Sequence, residues 1–170
     1  MSCKIAVITA SNSIYRGERE NDSVQKLLEL IRRDLQNEVY IHRVLPDNIE
    51  ILKENMIELI DRERIDLLFT VGGTGLSPED VTPEATELVI DRYVPGLAEE
   101  MRRASLVNSR RAMLTRAIAG TRGNTLVINL PGNPKGVEEC FTAISDQIPH
   151  ALNIIQGNVG VGSITREEIW

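Results

Sequence analysis

Short apolar runs alternate with amphipathic stretches along this chain, and that alternation limits the folds open to it. Residues 4–10 (KIAVITA) read as a buried strand. Residues 22–35 follow with Val24, Leu27, Leu28, Ile31 and Leu35 at helical spacing. Residues 38–45 alternate as a second strand, broken by Pro46-Asp47-Asn48, and 49–60 form an amphipathic helix. Residues 65–71 are a third strand. Pro83 suits a first helical turn with Thr82 as its cap, and this helix runs to about residue 93. Pro95-Gly96 opens another that runs to about residue 107. Residues 113–119 and 125–130 are β-rich and read as a hairpin or strand pair joined through 120–124; 136–155 is helical with a bend at Pro149. The pattern predicts an α/β fold: a mostly parallel sheet with helices on both faces, in one domain over residues 1–170.

In such sheets ligands bind beyond the carboxyl ends of the strands. The third strand ends there in Gly72-Gly73-Thr74-Gly75, with little side-chain bulk and wide backbone freedom. Its amides can surround an anion, and Asp80, five residues beyond, can hold a divalent cation against a bound phosphate. Asp47 and the turn Pro131-Gly132-Asn133-Pro134 also follow strands, so all three segments share one rim. The chemistry suggested is that of a nucleotide.

Composition narrows the field. The net charge is −6 with no basic tract, which argues against a nucleic-acid partner. No stretch resembles a signal peptide or a membrane span, and Cys3 and Cys140 have no metal spacing, so we expect a soluble protein of a reducing cytoplasm. Cys140 continues an apolar helical face, and Cys3 reads as a plain thiol. His42 and His150 have no metal-spaced partner and read as structural or exposed.

Each candidate also has a local explanation. Asp47 either caps the helix starting near Ile49 or serves the site. Asp80 either closes the turn Ser77-Pro78-Glu79-Asp80 or binds metal. Glu84 reads as a first-turn dipole partner. Arg116, Arg122 and Lys135 flank the rim and are candidates for neutralising phosphates. A dinucleotide site of the G-x-G-x-x-G type is disfavoured, because Ser11-Asn12-Ser13 follows the first strand.

Taken together, VLPDN (44–48), TVGGTGLSPEDVTPEAT (70–86), PGLAEEM (95–101), AMLTRAIAGTRGNTLVINLPGNPKGVEECF (112–141) and PHAL (149–152) resemble the MogA/MoaB family. The resemblance spans residues 4–155 and is nearest to the molybdopterin adenylyltransferase branch, which includes the G domain of gephyrin. It leaves 157–170 unassigned. It implies a three-layer α/β sandwich of the molybdopterin-binding, Rossmann-like type. It also implies MgATP-dependent adenylylation of molybdopterin with release of pyrophosphate, or, alternatively, a MoaB-like molybdopterin- or nucleotide-binding role without efficient transfer. By resemblance, Asp47 and Asp80 are catalytic; the chemistry suggests that Asp80 binds Mg²⁺ and that Asp47 helps hold the same metal or aligns the attacking phosphate. Gly72, Gly73, Thr74 and Gly75 lie in the nucleotide site, and Thr115, Asn129, Pro131, Gly132 and Asn133 border the cleft. A homo-oligomer, a trimer or a multiple of trimers, and hand-over to a molybdate-inserting protein are further implications. Three positions depart from the adenylyltransferase pattern: Asn12 stands where an aspartate is usual, Val24 where a glycine is, and Thr115 where a serine is.

Overall fold

A computed structural model describes residues 3–158. The elements in chain order are β1 (Ile5–Ala10), α1 (Asn12–Tyr15), α2 (Asp22–Leu35), β2 (Val39–Leu45), α3 (Ile49–Ile57), β3 (Leu67–Val71), α4 (Thr82–Glu87), β4 (Arg92–Tyr93), α5 (Pro95–Leu106), β5 (Ala119–Arg122), β6 (Thr125–Leu130), α6 (Pro134–Ile144) and α7 (Ile148–Ile155). A π-helical turn, Glu58–Arg62, extends α3, and a 3₁₀ turn, Arg110–Leu114, follows α5. The six strands form one sheet in the order β2-β1-β3-β6-β5-β4. β2, β1, β3 and β6 run parallel, whereas β5 pairs antiparallel with β6 and with β4.

Strand alternation divides the core in two. Ile5, Val7, Phe69 and Ile128 face one side and pack against α2, α5, α6 and α7. Ala6, Ile8, Leu68 and Val127 face the other and pack against α3 and the region around Ala85 and Val89. Strands covered on both faces read as nearly continuous apolar runs, and β1 is buried throughout. The three-layer sandwich therefore follows from the continuous apolar runs, as expected.

Four local expectations need correction. The helix begun at Thr82 stops at Glu87, after which the chain turns to pair Arg92 and Tyr93 with β5. Thr82 is no cap: Val81 holds that position, without a side-chain hydrogen bond. Residues 113–119 are not a strand; a 3₁₀ turn gives way to irregular chain, and only Ala119 enters β5. The long C-terminal helix is broken into α6 and α7 rather than bent, with Pro149 in the first turn of α7, where a missing N–H costs nothing. The tail 159–170, including Trp170, lies outside the described residues.

Candidate active site

Every parallel strand points its carboxyl end at one rim. There the structure holds a cavity of about 870 Å³, whose wall includes Asp47, Gly72, Gly73, Thr74, Gly75, Asp80, Thr115, Pro131, Gly132 and Asn133. Segments far apart in sequence meet because β1, β2, β3 and β6 end side by side.

The glycine loop is built for close approach. Gly72 and Gly73 have φ of 97° and 66°, conformations that side chains rarely adopt. Gly72 also passes so near β1 that a Cβ would stand 2.4 Å from the carbonyl oxygen of Ala10. Opposite it, a Cβ on Gly132 would lie 3.2 Å from the α-carbon of Gly72, so the two loops touch backbone to backbone.

Both acids flank this loop. A Cβ on Gly73 would lie 3.2 Å from Asp47 Oδ1, and one on Gly75 would lie 2.8 Å from Asp80 Oδ2. Asp47 does not cap α3; Asn48 does, its side chain accepting from the Ile51 amide at 3.0 Å. Asp47 is instead held by a reciprocal pair with Asn12. The Asn12 amide donates to Asp47 Oδ2 at 2.8 Å, and the Asp47 amide donates to Asn12 Oδ1 at 3.0 Å. Burial raises the Asp47 pKa; the Asn12 amide opposes this, while the negative charges of Asp80 and Glu79 add to it. The carboxyl oxygen Oδ1 is buried without a partner. Asp80 does close its turn, accepting from the Ser77 amide at 3.0 Å, and still lines the cavity.

Arg116 has a different task from the one its sequence position suggests. It donates to the carbonyl oxygens of Gly75 (2.7 Å) and Asp80 (2.6 Å) and pairs with Glu84. Its own amide donates to the Thr74 carbonyl at 2.9 Å. It therefore clamps both ends of the loop that carries Asp80, and Glu84 serves that clamp. Arg122 pairs with Asp61 and is absent from the cavity wall. Lys135 is in that wall, as are Arg19, Arg102 and Arg111, which sequence reasoning missed. These three had no periodic or motif signal: each enters the wall through a turn or helix face that only packing defines.

Asn129 does not reach the cavity. It is fully buried on β6, its Nδ2 donating to Thr70 Oγ1 (2.8 Å) and Thr86 Oγ1 (2.9 Å), and its Oδ1 accepting from the Ile118 amide (3.2 Å). It ties the sheet to α4 beneath the site. Asn133 caps α6 through the Gly136 amide at 2.7 Å, and Thr115 Oγ1 accepts from the Ala117 amide at 3.3 Å. Of the departures, Val24 is core packing for α2, and Asn12 is the carboxamide that grips Asp47. The Asn12 Nδ2 also donates to Glu79 at 3.4 Å, which a carboxylate there could not do.

Among the described residues no three His, Cys, Asp or Glu side chains converge as a metal cage. Two carboxylates, Asp47 and Asp80, beside a glycine-rich loop are a donor set that suits Mg²⁺, which takes one or two carboxylates and leaves its other positions to phosphate and water. No described helix is long and apolar enough to cross a membrane.

Comparisons with known proteins identify the family. The family described as "Probable molybdopterin binding domain" matches residues 6–150. The molybdopterin adenylyltransferase of Helicobacter pylori is 37% identical over 155 residues, covering 91% of this chain and 88% of that protein. The molybdenum cofactor synthesis protein cinnamon of Drosophila melanogaster is 35% identical over 168 residues, 99% of this chain but 28% of that protein, so the likeness there is to one part of a longer chain. The crystal structure of the molybdopterin biosynthesis enzyme MoaB from Thermus thermophilus superposes with a TM-score of 0.86 at 41% identity, covering 91% of this chain and 97% of that one. By its sequence, its fold and the segments gathered at its rim, this chain belongs to the molybdopterin-binding MogA/MoaB family.

Proposed function

We propose that this protein is a molybdopterin adenylyltransferase of molybdenum cofactor biosynthesis, using MgATP to adenylylate the terminal phosphate of molybdopterin. The observation that carries the reading is the convergence of Asp47 and Asp80 on the glycine loop within one cavity. The adenylyltransferase relative at 37% identity supports it.

The chemistry asks for alignment and charge neutralisation more than for a base. An oxygen of the molybdopterin phosphate attacks the α-phosphorus of ATP. A new P–O bond forms, the bond from the α-phosphorus to the bridging oxygen breaks, and the electron pair leaves with pyrophosphate. The nucleophile is already largely ionised near neutral pH, so the lack of a histidine among the described residues of the cavity wall is no obstacle. Amides of Gly73, Thr74 and Gly75 would hold phosphate oxygens, while the Gly72 amide stays bonded to the Leu130 carbonyl, and Arg19, Arg102, Arg111 and Lys135 would offset the charge of two phosphorylated substrates. Magnesium bound by Asp47 and Asp80 would neutralise charge growing on the phosphoryl oxygens.

A second reading, binding without efficient transfer, is favoured by the MoaB neighbour at 41% identity. Incubation with MgATP and molybdopterin separates the two. Pyrophosphate release that falls at least ~100-fold in Asp80→Asn, with the fold intact by circular dichroism, supports transfer. Stable binding without pyrophosphate supports the second reading, and unchanged turnover in Asp80→Asn removes that residue from the mechanism. Assembly as a trimer, and hand-over of the product to a molybdate-inserting protein, belong to the same proposal.

A further inference from the structure

Adenylyl transfer at this rim leaves one pair of atoms unexplained. Thr82 is fully buried, and its hydroxyl has no hydrogen-bond partner. Asp47 Oδ1 is buried and equally alone. Both oxygens lie against the same glycine: a Cβ on Gly73 would stand 2.3 Å from Thr82 Oγ1 and 3.2 Å from Asp47 Oδ1. A side chain at position 73 would therefore meet both oxygens.

The backbone of Thr82, and the amide and Oδ2 of Asp47, are occupied. The Thr82 amide donates to the Gly73 carbonyl at 3.1 Å, and the Thr82 carbonyl accepts from Thr86 Oγ1 at 2.8 Å. Asp47 Oδ2 is held by the Asn12 amide. What is left is a hydroxyl with a proton to give and a carboxylate oxygen that, when ionised, can only accept. Each one left alone carries its full desolvation penalty, and each is the complement of the other.

We propose that Thr82 is a positioning residue for Asp47, its hydroxyl donating to Asp47 Oδ1 across the space behind Gly73, directly or through one water molecule. The bond fixes the plane of the carboxylate, so that Oδ2, braced by Asn12, keeps its other lone pair for the cavity. It also joins the two acid-bearing loops, because Thr82 opens α4 only two residues after Asp80. Position 73 must then be glycine for a reason besides its φ: any side chain would sever the contact. The inference rests on the reading of Asp47 as part of the reacting site.

Thr82→Val keeps the shape and removes the hydroxyl. We expect kcat for pyrophosphate release to fall ~10-fold or more, with KM for ATP changed less than about two-fold, and the thermal midpoint without nucleotide to fall. Thr82→Ser keeps the hydroxyl and restores kcat. A double-mutant cycle gives the readout independent of activity: in an Asp47→Ala background, Thr82→Val no longer lowers the midpoint. A Thr82→Val protein with unchanged kcat and an unchanged or raised midpoint overturns the proposal. So does an equal midpoint loss with and without the Asp47 carboxylate. If Thr82→Val does not fold, the same cycle is run with Thr82→Ser against Thr82→Ala, and coupling of the hydroxyl to Asp47 decides. If the wild-type protein releases no pyrophosphate, adenylyl transfer fails as a reading, while the stability cycle still decides the Thr82–Asp47 bond.

Discussion

The two ends of the parallel sheet each carry a cavity, and they differ in chemistry more than in size. At the carboxyl end the volume is about 870 Å³; at the amino end, around Cys3, Lys4, Asp66 and Gln156, it is about 660 Å³. Both contain carboxylates. At the amino end Asp66 is satisfied: it accepts from the Lys4 amide at 2.7 Å and from Gln156 at 2.9 Å, and Asn37 donates to the Cys3 carbonyl at 2.9 Å. At the carboxyl end Asp80 is bonded to the Ser77 amide, but Asp47 keeps one oxygen without a partner. Among the described residues, the buried side-chain oxygens without a partner are Asp47 Oδ1, Thr82 Oγ1 and Glu84 Oε2, all at or beside the rim. Unpaired polar atoms on one side only mark that side as the one whose buried groups still need a partner, each other or a ligand. Volume alone would not have separated the two.

Glycines supply the harshest test of this contrast. Gly72 at the rim has φ 97° and a backbone oxygen 2.4 Å from where its Cβ would stand, while Gly123, at the amino end of β6, has φ 53° and open space around it. Alanine at 72 should therefore cost about 3 kcal/mol or more, through strain and a clash that β1 cannot relieve. Alanine at 123 should cost about 1 kcal/mol, through φ alone. Chemical denaturation of the two variants checks this. Equal losses would mean that the rim is no tighter than an ordinary hairpin turn.

The next effect is electrostatic. Asp47 has its pKa raised, first by burial and further by Asp80 and Glu79, with the Asn12 amide opposing. A carboxyl group whose folded pKa exceeds its unfolded value stabilises the fold while protonated. That contribution is full below the unfolded value, near ~3.9, and is lost as pH rises through the folded one. Without metal, the wild-type protein should thus lose stability relative to Asp47→Asn between about pH 4 and pH 7. Magnesium should restore part of that loss in the wild type and none in the variant. Thermal midpoints at the two pH values, with and without Mg²⁺, provide the measurement. Parallel pH curves for the two proteins would show that burial does not disfavour the ionised Asp47.

Legibility in the sequence followed the range of the forces involved. Strands and long helices could be read because apolar periodicity is local; α2 falls on Asp22–Leu35 as its spacing predicts. The glycine loop and both acids could be placed on one rim because parallel strands share a direction. Thr82 was misread as a cap, since a Thr-Pro start looks the same whether the hydroxyl turns to the helix or into a void behind another loop. Arg116 looked like a phosphate ligand because its carbonyl partners, Gly75 and Asp80, lie about forty residues away in sequence. Asn129 sat in a motif tied to the cleft by resemblance, yet its partners Thr70 and Thr86 draw it into the core. Misassignments concentrate where a polar side chain chooses between a neighbour in sequence and one in space.

The smallest expected effect lies at the other end of the sheet and is the most discriminating. Asp66→Ala removes the acceptor of the Lys4 amide and of Gln156, both partly open to water that can replace it. Stability should fall by about 1 kcal/mol, and pyrophosphate release should stay within about two-fold of wild type, since ordinary surface changes away from a site leave kcat alone. The Cys3 thiol gives an internal check. Its pKa is pushed up to about 11, by burial first and by the charge of Asp66 second. Removing that charge should lower the thiol pKa, and Cys3 should be alkylated faster at a given alkaline pH. A large loss of activity in Asp66→Ala, with the thiol responding as stated, would mean that the satisfied end of the sheet is coupled to the reaction. The absence of unpaired atoms would then no longer mark a region as purely structural.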